Sequence, residues 1–160
     1  MKSFPPSPWL PRVPAPPRPR VPIPAFHPVP TRNRHKGWTA LRQAEFIGHL
    51  AESRSVSHAA AQVGMARESA YRLRTRRWAE GFCAAWDAAL GTPCPAGQVP
   101  PRKVTLEELS WRVEAGLWQV RMLQGRYAGV IKKADNSALL SMLARLGAGI
   151  TARPAKGAAR

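Results

Sequence analysis

A chain of 160 residues has room for one ordinary domain with tails. Its 25 Lys and Arg against 9 Asp and Glu leave a formal charge of +16, which favours a polyanionic partner because each cation set beside a phosphate releases condensed counterions. A membrane partner would need a basic amphipathic helix or an apolar span, and a secretory signal needs a continuous apolar run where MKSFPPSPWL breaks into prolines, so a cytoplasmic location without membrane contact is expected.

Twelve of the 17 prolines fall in residues 1–30, interleaved with Arg12, Arg18 and Arg20, and no acidic residue precedes Glu45. Proline lacks the amide donor and drives its predecessor to extended geometry, so residues 1–36 read as a disordered Pro/Arg-rich arm, partly polyproline II. The arm is either a solvated linker or a basic strap adding unspecific phosphate contacts.

At Thr39 alanine and spaced apolar residues replace proline. Thr39 can cap a helix whose Ala44, Phe46, Ile47, Leu50 and Ala51 share one face through about Ser53. Ser57 can cap a brief second helix, His58 to Val63, which Gly64 ends by taking the left-handed conformation. A third helix is expected from about Ala66 to Arg77. The spacing of Phe82, Trp86 and Leu90 predicts a fourth, from about Ala79 to Leu90, closing a four-helix unit over 37–90.

Four prolines and two glycines make 91–104 a linker. The C-terminal element, 105–147, starts with a helix from Thr105 to Ala115, where Glu107 and Glu108 suit the positive end of the helix dipole. Period-two alternation of Trp118, Val120 and Met122 before Gln124-Gly125, then Tyr127 to Ile131, predicts a β-hairpin, although the helix could instead continue through Leu123. Asp135 and Asn136 can cap a last helix through Leu146, leaving 148–160 as a basic flexible tail. The fold class is therefore mainly α, with a hairpin between the last two helices.

The segment Val56 to Arg77 meets the requirements of a helix-turn-helix: a small residue at the crossing (Ala60), a turn residue tolerating positive φ (Gly64), and apolar inner faces from Ala59, Val63, Met65, Ala70 and Leu73. On a helical wheel Arg67, Glu68, Tyr71 and Thr75 face away from Ala66, Ala70, Leu73 and Arg77. A guanidinium fork can bond guanine, a carboxylate can accept from cytosine, and Tyr71 and Thr75 can meet base edges or phosphate. Arg72 flanks this face, and Arg74, Arg76 and Arg77 suit phosphates.

The run GWTALRQAEFIGHLAESRSVSHAAAQVGMARESAYRLRTR resembles the homeodomain-like helix-turn-helix of small bacterial proteins, often alphaproteobacterial. AYRLRTRRWAEGFCAAWDAAL is also similar to phage terminase small subunits, in which an arginine-containing recognition helix precedes a Phe and Trp helix. Such motifs usually open the recognition helix with Ser or Thr, and Ala66 stands there in this chain, a missing cap that costs about 1 kcal/mol of local helix stability.

No phosphate-cradling or dinucleotide-binding glycine motif occurs, and the sparse carboxylates form no two-carboxylate nuclease pattern, so no enzyme and no cofactor is expected. Cys83 and Cys94 form no CxxC pair, and His27, His35, His49 and His58 share no ligand spacing with them, so no metal is expected either. Of the six tryptophans, Trp38, Trp86, Trp111 and Trp118 suit packing better than stacking on single strands. The leading expectation is a transcription-regulator-like protein that binds double-stranded DNA, with Arg67, Glu68, Tyr71, Arg72 and Thr75 at the groove, and with homo-oligomer contacts from the C-terminal element. The alternatives are a terminase-small-subunit-like DNA-recognition protein forming a ring, and a protein–protein adaptor that keeps the fold.

Overall fold

Six α-helices and one antiparallel hairpin make up the regular structure of residues 22–32, 36–92 and 103–151, which the computed structural model describes. The helices are α1 (Ala40–Ser53), α2 (Val56–Gln62), α3 (Arg67–Arg74), α4 (Glu80–Ala89), α5 (Leu106–Ala115) and α6 (Asn136–Thr151); between α5 and α6, strands β1 (Leu117–Leu123) and β2 (Arg126–Lys133) form the hairpin.

Local chemistry sets most boundaries. Thr39 and Thr105 are N-caps whose side chains accept from the Arg42 and Glu108 amides. Helix α2 begins two residues earlier than its sequence suggests, because Ser55 rather than Ser57 is the cap, accepting from His58 N. The Asp135 carboxylate accepts from Ala138 N at the start of α6. That helix runs past Gly147 to Thr151, so 148–151 of the expected tail are helical, and 152–160 lie outside the described residues. The hairpin turns at Gln124-Gly125 as the alternation predicts, and helix does not continue through Leu123.

Aromatic rings fill the core. Phe46, Phe82 and Trp86 are fully enclosed, with Phe46 and Trp86 centroids 4.9 Å apart and Phe82 edge-on to Trp86 at 5.9 Å. Val120 of β1 belongs to the same buried cluster, and both strands pack on α1. The hairpin of the 105–147 element thus packs on and closes the core of the first four helices.

The expectation of a disordered arm through residue 36 fails over 22–32. Phe26 and Val29 are each only 1% exposed, and Phe26 exchanges two backbone hydrogen bonds with Trp118 of β1, at 2.9 and 2.8 Å. Prolines deny this strap its own ladder, so other elements satisfy its backbone. The buried amide of Gln43 on α1 accepts from Val29 N at 2.7 Å and donates to Val29 O at 3.0 Å, and the Trp111 indole donates to Pro28 O at 3.1 Å. Trp111 therefore ties two elements together instead of packing along its own helix. His27 completes the attachment through a 2.7 Å contact with Asp135. Residues 1–21 of the arm and 93–102 of the linker lie outside the described residues.

Helix α6 packs on α5 and leaves Leu139, Leu140, Leu143 and Leu146 exposed. Among the described residues no helix is long and apolar enough to cross a membrane.

Candidate nucleic-acid interface

Helices α2 and α3 are held against each other by small and branched side chains. Ala59, Ala60, Ala70 and Leu73 are buried, and Met65 N donates to Ala60 O at 2.9 Å across the turn. Gly64 has φ 69°, the left-handed geometry expected of it. Ala66 is the N-cap of α3 in extended conformation and makes no side-chain capping bond. Ser69 compensates in part: its hydroxyl donates to Ala66 O at 2.6 Å and accepts from the Trp38 indole at 3.1 Å, tying the start of α3 to the residues before α1.

Helix α3 ends at Arg74, three residues short of the expected Arg77. The Thr75 hydroxyl donates to Arg72 O at 3.0 Å and Arg76 N to Leu73 O at 3.3 Å, tightening the last turn, and Trp78 follows with φ 60°. Arg76 and Arg77 accordingly extend from a loop and not from a helix face.

The eight expected site residues divide into three groups. Arg67, Glu68, Arg72, Thr75 and Arg76 are exposed. Tyr71 is part-exposed (43%) while its ring lies 5.5 Å from that of Trp86, and the Arg67 guanidinium stands 5.7 Å from the Tyr71 ring centroid. Two arginines are engaged inside the protein. Arg74 pairs with Asp87 of α4 at 3.0 Å and covers the Trp86 ring at 4.9 Å, so its guanidinium is engaged with α4 and not directed freely outward. Arg77 lies over Trp78 at 4.8 Å and reaches Glu107 at 3.4 Å, an exposed pair that solvent and salt readily break.

The sequence carries a signal for the Arg74 outcome. At 100° per residue Arg74 falls only ~40° from buried Ala70, whereas Arg72 falls on the far side. Asp87, the partner, follows Trp86 on the next helix. Beneath the end of α3, burial pushes the Cys83 thiol above its ordinary value despite the neighbouring Arg74, so it stays protonated. Among the described residues no cluster of His, Cys, Asp and Glu suited to a metal occurs.

What remains facing outward is an arc of two guanidinium forks, a carboxylate, a phenol edge and a hydroxyl, on a helix whose inner side is fixed by Ala70, Leu73 and the Arg74–Asp87 pair. Such a surface can donate and accept hydrogen bonds in a fixed pattern. No protein-family model, curated protein or solved structure matches this chain.

Proposed function

We propose that the protein binds double-stranded DNA non-covalently, using α2 and α3 as a homeodomain-like helix-turn-helix. The observation that carries this reading is the outward arc of Arg67, Glu68, Tyr71, Arg72 and Thr75 on a short helix pinned from behind. Arg67 and Arg72 donate to base edges, Glu68 orients them or accepts from cytosine, and Tyr71 and Thr75 meet base edges or the backbone. Arg76 and, once released from Glu107, Arg77 grip phosphate; Arg74 is left out. The net charge of +16 strengthens attraction to the duplex without specifying a sequence.

The biological role we favour is that of a cytoplasmic transcription-regulator-like protein, self-associating through the exposed leucines of α6. The same leucine row supports a second reading, a ring-forming DNA-recognition subunit of the terminase type. Light scattering separates them: a dimer favours regulation and a large closed ring favours packaging.

The decisive experiment is a titration against duplex libraries at several salt concentrations, with wild type and an Arg67→Ala, Arg72→Ala pair. Affinity falls with a log–log slope of about −0.9 per phosphate neutralised, and the pair weakens or relaxes the selected site. A protein indifferent to salt and to both substitutions is an adaptor, and the DNA reading is then wrong.

A further inference from the structure

Beside the end of α3 lies a cleft of about 510 Å³ lined by Thr31, Arg32, Gly37, Trp38 and Arg76. It joins the strap to the recognition unit. Both guanidiniums belong to exposed residues, no carboxylate stands among the described lining residues, and neither arginine has an ion-pair partner among the described residues.

The wall between the two cations is firmly built. Trp38 is 8% exposed, meets Phe46 edge-on at 5.5 Å, and donates its indole N–H to Ser69 of α3. Thr31 Oγ1 donates to Trp38 O at 2.5 Å, and the Arg42 guanidinium occupies Gly37 O at 2.9 Å. The strap and α3 are therefore coupled through Trp38, and the carbonyls of Gly37 and Trp38 already have donors. Two like charges lining one groove, with no carboxylate among the described lining residues, suit an anion with several acceptor oxygens, and the planar guanidinium fork matches phosphate geometry.

We propose that this cleft seats one backbone phosphate of the duplex that α3 contacts, with Arg32 and Arg76 donating to it from opposite sides. The proposal rests on the DNA-binding reading above. It gives the Pro-rich strap a task that its composition does not specify: Arg32 reaches the backbone from a segment anchored through Val29 and Trp38, so its contact has a fixed register relative to α3.

The test uses full-length protein and the duplex selected by wild type. Arg32→Gln, Arg76→Gln, the double variant and the Arg67→Ala, Arg72→Ala pair are titrated over a range of salt. Parallel titrations use duplexes with single methylphosphonate substitutions along the backbone. The double variant binds about tenfold more weakly, its salt slope is shallower by roughly 1, and it selects the same bases as wild type. Methylphosphonate at one position weakens wild type and has no effect on the double variant. Thermal melts verify that both glutamine variants remain folded.

If wild type binds the duplex but the double variant keeps its slope and its methylphosphonate profile, the cleft proposal is overturned and the DNA reading stands. If wild type binds no duplex, both are overturned. Inorganic phosphate serves as the competing source: resonance shifts at Arg32 and Arg76 on adding it, with no change in the duplex slope between wild type and double variant, assign the cleft to a free anion and overturn the backbone seat.

Discussion

The ring of Tyr127 on β2 fills the space that a side chain at Gly48 of α1 would need: a Cβ there would lie 2.6 Å from Cε2 and closer still to Cδ2. His49 flanks the same ring at 4.9 Å, and burial, with Glu45 nearby, raises the phenol above its ordinary value. The helix–hairpin contact thus depends on a missing methyl group. Gly48→Ala is expected to destabilise the fold by about 1–3 kcal/mol in urea melts, the range of overpacking, despite the better helix propensity of alanine. Adding Tyr127→Ala relieves the clash, so the double variant loses less than the sum of the two single losses.

Arg72 and Arg74 are two residues apart and should behave oppositely. Arg74→Ala removes the Asp87 pair and the cover over Trp86, and is expected to lower stability by about 1–2 kcal/mol. Arg72→Ala, on the exposed face, changes stability by less than about 0.5 kcal/mol while weakening DNA. Chemical denaturation together with DNA titration checks the pair. Equal stability losses would place Arg74 outside the core.

Ala66 has the extended φ and ψ of an N-cap (−75° and 142°) and lacks an acceptor. Ala66→Ser supplies an oxygen for the Glu68 or Ser69 amide, and is expected to raise stability by about 0.5–1 kcal/mol in a thermal or urea melt. No gain would mean that the Ser69 hydroxyl already provides all the restraint that this end of α3 can use.

Asp135 ties strap to α6. Burial alone would raise its carboxyl, but the Ala138 amide and His27 outweigh burial and hold it below the usual carboxylate value. A depressed folded value means the unfolded chain binds the proton more readily. The contribution is therefore complete above the unfolded value of about 3.9 and disappears as pH falls through the folded one. Asp135→Asn keeps an acceptor for Ala138 but removes the charge. The stability gap between wild type and this variant should be full well above the ordinary carboxylate value and narrow as pH falls below it. A gap independent of pH would assign the effect to shape and not to charge.

Features that depend on a few neighbouring residues were legible in the sequence. Thr39 and Thr105 cap because a hydroxyl is needed one residue before a helix, Gly64 turns because positive φ is needed there, and Gln124-Gly125 reverses a period-two pattern. Two arginines also depend on partners in other elements, and of these only the inward side of Arg74 was readable from its helical spacing to Ala70. Arg74 turns inward because Asp87 lies on the next helix, and Arg77 finds Glu107 after a linker. The strap is the clearest instance. Its prolines correctly forbid helix, but extended geometry is compatible with solvent or with burial. The choice is made by Gln43, Trp111 and Trp118, none adjacent to it in the chain.

The Phe26–Trp118 backbone bridge joins positions 92 residues apart and encloses α1 to α5 within one loop of chain. Closing so long a loop carries a large entropic cost, so it forms productively only after the aromatic core has shortened the distance between its ends. During synthesis the strap leaves the ribosome before the helices it docks on and yet completes its pairing late, because its pairing edge on β1 is made some ninety residues afterwards. The Phe26–Trp118 part of the strap's attachment accordingly exists only in chains whose β1 has been made, so full docking of the strap distinguishes finished molecules from nascent ones.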